Sequence, residues 1–270
     1  MKIIRYQDIQ GNIAYAAIEN GAYYKIEGDI YTNYETTKQV ADVQKILAPI
    51  NPTSILCVGL NYKEHAREAN MDIPEFPVLF VKGVNTVQHP EGLILIPTFL
   101  ESNEVDYECE LAVIIKKACK NASRETALDY VLGYTCSNDV SARDWQLKKG
   151  GGQWCRGKFF DTFVPLGPCL VTTDEIPNPN NLNIRTLLND EVMQDSNTSD
   201  MIFDVAAIIE FLSGSTTLLP GTVILTGTPP GVGMSQDPPR WLKPGDTVTI
   251  EIEKIGQLIN PVEKEKTQLK

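Results

Sequence analysis

The sequence predicts an α+β fold dominated by β-strands, on three observations. Short apolar or alternating runs recur along the whole chain between Pro and Gly punctuation, the pattern of strands joined by tight turns. The apolar segments 223–225 and 247–252 each follow a Pro-Gly pair, which starts a strand abruptly. Helical periodicity is confined to a few stretches and does not alternate with strands as βαβ units would require.

At the N-terminus, 2–6, 12–19 and 23–27 alternate as strands, with Gly11, Asn20-Gly21 and Gly28-Asp29 as turns. Segment 40–47 has a helical pattern that Pro49 and Pro52 end. Residues 1–48 are therefore expected to form a small hairpin-rich domain ahead of a body spanning 49–262. In the body, the run 111–115 reads as a buried strand. Ser123 caps an expected helix reaching 132, which Gly133 closes, and 134–138 forms a strand opening into a helix over 141–147. The clearest helix is expected over 200–212, where Ile202, Val205, Ile208, Ile209 and Leu212 make one apolar stripe. Thr198 or Ser199 can cap it, and Gly214 ends it. The polar stretch 263–270 reads as a solvated tail.

Bulk composition narrows the function. A chain of 270 residues with 42% hydrophobic and 22% charged residues buries a sizeable core, so it is a globular protein rather than a disordered one. Its formal charge of -11 repels nucleic acid and anionic membranes, so neither is expected as a partner. An anionic substrate would then need a local cation to overcome that field. The start of the chain is polar and no run reaches the about 18 apolar residues that span a bilayer, which makes the cytoplasm the expected compartment. Six cysteines without a C-x-x-C pair support neither a zinc ribbon nor a redox motif, and are expected as reduced, mostly buried residues.

Glu108-Cys109-Glu110 immediately precedes the apolar run 111–115. Period-two geometry puts both glutamates on one face of a strand, where burial without a counter-charge would be costly. A cation resolves the conflict, although E-x-E also suits an exposed edge strand paired with lysines. Asp139, at the end of the strand 134–138, is the third candidate ligand, and three carboxylates without a nearby histidine or thiolate favour a hard ion. His65 and Glu68 fall three residues apart on a short helix that Asn61 is expected to cap, with Glu64 three residues on. A carboxylate beside an imidazole suits general-base chemistry, while a fortuitous surface pair is the plain alternative. His89, beside Pro90, reads as structural. Arg143 and Gln146 share a helical face, and with Lys158 they can supply the positive field an anion needs. Gly150-Gly151-Gly152 lacks the G-K-[ST] context of a phosphate loop, and 226–231 is a turn whose hydroxyls and amides can face a cleft.

Val58-Gly-Leu-Asn-Tyr62 with His65 and Glu68, Asp106-Tyr-Glu-Cys-Glu-Leu-Ala-Val113, and Gly133-Tyr134 through Asn138-Asp-Val-Ser-Ala-Arg-Asp-Trp-Gln146 recur in a telling order. So do Gly157-Lys158 with Phe160-Asp-Thr-Phe163, Pro165-Leu-Gly-Pro168, Gln194 with Thr198, and Leu225-Thr-Gly-Thr-Pro229. Over roughly residues 50 to 262, this order and spacing resemble the fumarylacetoacetate hydrolase family. The resemblance implies a mixed β-sheet roll with one Mg²⁺ or Mn²⁺ per chain on Glu108, Glu110 and Asp139. It makes His65 and Glu68 the dyad of a lid helix, Lys158 the active-site lysine, Arg143 and Gln146 contacts to a substrate carboxylate, and Thr228 a further substrate contact. It also implies a homodimer, and likens residues 1–48 to the leader domain of longer bacterial-type members. Lys254 stands where relatives have glycine, Phe159 where a small serine follows the lysine, and Gly83 and Lys116 also depart; Phe159 bears on the shape of the pocket.

A 2-oxo acid can chelate such an ion through its carboxylate and keto oxygens, and the ion stabilises the enolate that forms when a bond at C3 breaks. The expected enzyme therefore acts on a small anionic 1,3-dicarbonyl 2-oxo acid. Carbon-carbon bond hydrolysis of an acylpyruvate or fumarylacetoacetate-like acid and keto-enol tautomerisation of oxaloacetate lead. Oxaloacetate decarboxylation and hydroxyheptadienedioate isomerisation or decarboxylation follow, and a non-catalytic 2-oxo acid binding protein is the reading from another class.

Overall fold

Strands Cys109–Ile115 and Val131–Asn138 are buried on both faces along their whole length in the computed structural model, which describes residues 1–266, and the rest of the fold is arranged around them. Leu111, Val113 and Ile115 join one apolar cluster with Ile184, Ile250 and Leu258. Ala112 and Ile114 join a second with Ile55, Leu170 and Val223. A strand packed on both sides needs no polar face, which is why its sequence is a continuous apolar run. Each fully buried Leu or Ile in these clusters contributes about 1.5–3 kcal/mol.

The main sheet has 12 strands. Its principal path runs Tyr34–Val40, Ala22–Gly28, Ile13–Glu19, Lys2–Gln7, Val164–Thr172, Val131–Asn138, Cys109–Ile115, Thr222–Leu225, Ser54–Gly59 and Val78–Lys82. Most neighbours are antiparallel, but Thr222–Leu225 and Ser54–Gly59 run parallel, so the sheet is mixed. A second sheet, ordered Glu191–Asn197, Asn183–Leu188, Thr247–Ile252, Gly256–Lys264 and Ile94–Ile96, supplies Ile184, Ile250 and Leu258 to the first cluster. The β-rich α+β roll expected from the sequence is therefore present. The N-terminal hairpins extend the body's own sheet, because Lys2 and Ile3 pair with Val171 and Leu170.

Four local expectations are corrected. Segment 40–47 is not a helix: Lys45–Leu47 pairs with Lys2–Gln7, and the pairing overrides local propensity. The helix expected from Ser123 is reduced to a 3₁₀ turn, Ala127–Tyr130, because Val131 enters the central sheet opposite Ile115. Segment 141–147 divides into a two-residue strand, Ser141–Ala142, paired with Val105–Asp106, and a π-helical turn, Asp144–Lys149. The expected 200–212 helix starts later, as Val205–Ser213, with Asp204 as its cap accepting from the Ala207 N–H at 2.9 Å. At the C-terminal end, strand pairing continues through Lys264 and Glu265 accepts from the Thr98 N–H, so the first residues of the expected tail are ordered. Residues 267–270 of that tail lie outside the described residues. Among the described residues, no helix is long and apolar enough to cross a membrane.

Candidate active site and metal centre

The antiparallel register of the two central strands sets Cys109 opposite Asn138 and Glu110 opposite Ser137. One residue beyond, the Asp139 N–H donates to the Glu108 carbonyl at 2.9 Å, and the Glu108 N–H donates to the Asn138 side chain at 3.0 Å. Pairing alone thus brings Glu108, Glu110 and Asp139 together. One oxygen from each lies within 4.8 Å of the others, and all three side chains are buried. An oxygen-only donor set of this size suits a hard divalent cation.

Three cations surround the carboxylates. Lys158, at the end of the short helix Cys155–Lys158, donates to Glu108 Oε2 at 2.7 Å and Asp139 Oδ2 at 2.8 Å. Lys82, the last residue of its strand, donates to Asp139 Oδ1, and also to the Val140 and Phe163 carbonyls at 2.9 and 2.8 Å. Arg143 Nη1 lies 2.6 Å from Glu108 Oε1, and its Nε donates to Asp106 Oδ2 at 2.8 Å. Asp106 is buried and also accepts from the N–H groups of Gly233 and Met234, at 2.7 and 3.0 Å.

Glu110 differs from the others. Its Oε2 accepts from the Gly227 N–H at 2.7 Å, and among the described residues it forms no salt bridge. Burial, reinforced by the charges of Asp139 and Glu108, pushes the Glu110 carboxyl well above the usual carboxylate range. Burial also acts to raise Glu108, but Lys158 and Arg143 outweigh it and hold that carboxyl below the range. Four buried carboxylates, Asp106 included, thus face three cations. The excess negative charge rests on Glu110 unless a proton or a metal ion compensates it.

Above this floor lies a cavity of about 90 Å³. Glu108, Glu110, Arg143, Gln146, Lys158, Thr228 and His65 give it a polar side, while Leu60, Met71, Phe80, Leu147, Trp154 and Met234 give it an apolar wall. Thr228 is fixed by donating to the Cys109 carbonyl at 3.0 Å and accepting from Gln194 Nε2 at 2.9 Å. His65 and Glu68 occupy the helix Lys63–Glu68, with Nδ1 and Oε2 2.9 Å apart. Burial tends to raise the Glu68 carboxyl, but the bonds from His65 and the Gly231 N–H, the latter at 2.8 Å, hold it below the usual range. Through Gly231, Glu68 ties the helix to the loop that carries Thr228.

The sequence matches the fumarylacetoacetate (FAA) hydrolase C-terminal family over residues 54–263. The chain belongs to the fumarylacetoacetate hydrolase family. A relative in Xenopus laevis, the mitochondrial oxaloacetate tautomerase fahd2, is 51% identical over 218 residues, covering 80% of this chain and 68% of that protein. Two similar solved structures come from mycobacteria. The 5-carboxymethyl-2-hydroxymuconate delta-isomerase of Mycobacterium smegmatis has a TM-score of 0.86 at 38% identity, covering 98% of this chain and all of that one. The 2-hydroxyhepta-2,4-diene-1,7-dioate isomerase of Mycobacterium marinum has a TM-score of 0.85 at 40% identity, covering 99% and 100%.

The family residues expected from the sequence converge on this one cavity, with Asp139 in its floor and Glu68 holding His65 from outside the lining. His89 is structural as expected: Nδ1 accepts from the Ala48 N–H at 3.0 Å. Asn61 does not cap the helix Lys63–Glu68; its side chain joins Phe203 and Thr226, and the capping position falls to Tyr62 without a side-chain bond. Lys82 and Asp106 are the residues of the cluster that sequence reasoning missed. Asp106 had a signal, since it continues the period-two series of Glu108 and Glu110; a lysine ending an apolar strand had none. Gly83 and Phe159 are close neighbours: a Cβ on Gly83 would lie 2.3 Å from Asn85 Oδ1 and 2.4 Å from the Phe159 ring. Phe159 fills the space that Gly83 leaves and lines a separate groove with Phe160 and Asp161, so it is absent from the lining of the catalytic cavity. Lys254 has φ +66°, a backbone state that glycine adopts without steric cost.

Proposed function

We propose that this chain is a Mg²⁺- or Mn²⁺-dependent enzyme that interconverts the keto and enol forms of oxaloacetate or a closely similar small 2-oxo acid. The observation that carries the reading is Glu110, a buried carboxylate without a cationic partner among the described residues, in a cluster otherwise paired with Lys82, Lys158 and Arg143. Glu108, Glu110 and Asp139 would hold the ion, which when bound acts as a Lewis acid toward negative charge developing on the substrate oxygens.

The chain's own groups divide the remaining work. Arg143, whose Nη1 donates to Gln146 Oε1 at 3.0 Å, lines the cavity together with Gln146, and the pair would meet a substrate carboxylate there. His65, oriented by Glu68, takes a proton from C3 and delivers it to the keto oxygen, so that one proton moves and the carbon skeleton stays intact. Thr228 and Lys158 line the same cavity and flank the acid, and the apolar wall limits water. The small cavity supports proton transfer on a four-carbon acid, and the name of the Xenopus relative agrees with that choice. A second reading, hydrolysis of the carbon-carbon bond of an acylpyruvate, is favoured by the apolar wall of Leu60, Met71 and Trp154, which suits an acyl tail.

Ultraviolet decay of enol-oxaloacetate, followed with Mn²⁺ and after chelation, tests the first reading, and loss of acetylpyruvate under the same conditions tests the second. Metal-dependent acceleration of enol decay is expected; decay at the buffer rate with Mn²⁺ present sinks the tautomerase reading. The proposal includes a homodimer, which light scattering on the eluting protein tests.

A further inference from the structure

Asp106 is fully buried, and its carboxylate accepts from both sides. Oδ1 takes the N–H groups of Tyr107 at 2.8 Å and Gly233 at 2.7 Å. Oδ2 takes Arg143 Nε at 2.8 Å and the Met234 N–H at 3.0 Å. These donors come from two different parts of the cavity. Arg143 lines it just after Ser141–Ala142, the short strand that pairs with Val105–Asp106. Gly233 and Met234 belong to the loop that also holds Glu68, through the Gly231 N–H at 2.8 Å, and Glu68 in turn holds His65 Nδ1 at 2.9 Å. The Tyr107 hydroxyl adds a bond to the Gly231 carbonyl at 3.1 Å. Arg143 and His65, on opposite ends of this path, are therefore referred to one anchor. A buried carboxylate is costly unless its acceptors are filled, so a shift of either the arginine or the loop leaves Asp106 short of a partner.

We infer that Asp106 is a positioning residue for two groups of the reaction at once: it aims Arg143 at the substrate carboxylate and, through the loop, fixes the Glu68 that orients His65. This rests on the tautomerase reading above. Asp106 acts from behind, since Arg143 and Met234 line the cavity and Asp106 does not. An asparagine of the same shape fails in a defined way, because one end of its amide is an NH₂ that cannot accept. Turned toward Oδ1 of the native group, that end faces the Gly233 N–H; turned toward Oδ2, it faces Met234 and Arg143. The loop loses a bond in both orientations, and Arg143 loses its full counter-charge in both.

Steady-state ketonisation of enol-oxaloacetate at saturating Mn²⁺ in wild type, Asp106→Asn, Glu68→Ala and the double variant tests this. Asp106→Asn is expected to raise KM and lower kcat, each about tenfold, the worth of one charge-assisted hydrogen bond. In the Glu68→Ala background the same substitution is expected to leave kcat within about twofold, because the loop no longer holds His65, while its effect on KM persists. A fall in kcat as large in that background as in wild type, or an unchanged KM in Asp106→Asn, overturns the inference and leaves the tautomerase reading standing. Wild type that does not accelerate enol decay with Mn²⁺ overturns that reading, and the inference with it. If Asp106→Asn does not fold, Tyr107→Phe, which removes only the bond to the Gly231 carbonyl, tests the loop: kcat several-fold lower at unchanged KM supports the inference, and unchanged kcat contradicts it.

Discussion

The carboxylate floor of the site and the short helix that carries His65 are built in opposite ways. Glu108, Glu110 and Asp139 sit at the ends of two fully buried strands, and each is held by hydrogen bonds or ion pairs from elsewhere in the fold. His65 and Glu68 sit on a six-residue helix without a side-chain cap, tied down mainly by Glu68 to Gly231 and by the Glu64 N–H to Asp200. The contrast suits the two tasks proposed for them. Metal ligands must keep a fixed spacing, whereas a proton-transfer group must admit a substrate.

Single substitutions should separate the two regions most sharply. His65→Ala is expected to lower kcat by about 10²- to 10⁴-fold, the usual contribution of a general acid-base group, with Mn²⁺ affinity nearly unchanged. Asp139→Ala is expected to lose both. Steady-state rates paired with calorimetry check this, and a large loss of Mn²⁺ affinity in His65→Ala would erase the distinction.

The floor also has a pH signature. Because the Glu110 carboxyl is raised in the folded protein, its protonated form is favoured by folding. That stability is fully present below the ordinary carboxylate value and is lost as pH rises through the raised one. Melting curves in chelator should therefore fall with pH across that window, and Mn²⁺ should reverse the fall.

Gly83 and Phe159 test the support behind Lys158. Gly83→Ala should cost about 1–3 kcal/mol by overpacking the Phe159 ring and the Asn85 side chain, and adding Phe159→Ser should recover the part due to the ring. Denaturant titrations of the single and double variants check the coupling; additive effects would mean that the two departures are unrelated. The smallest effect is remote from both regions. Lys254→Gly should stabilise by about 1 kcal/mol, because glycine holds the observed φ of +66° without steric cost.

The same contrast explains what was legible in the sequence. The strand at 111–115 and the carboxylates before it could be read because burial on both faces leaves a continuous apolar run interrupted only by chemistry. Segments 40–47, 123–132 and 141–147 could not, because long-range pairing with Lys2–Gln7, Ile115 and Val105–Asp106 decides their backbone, and local periodicity records no partner. Lys82 was hidden for a related reason. Only the folded register reveals that this strand-end lysine turns inward to Asp139.

Calorimetric titration of Mn²⁺ into the wild-type protein, repeated in buffers of different ionisation enthalpy, tests the central claim most directly. One ion per chain is expected, with proton release that shrinks as pH rises through the raised value of Glu110, and no binding in Asp139→Ala. Uptake without proton release below that value, or unchanged uptake by Asp139→Ala, would contradict it.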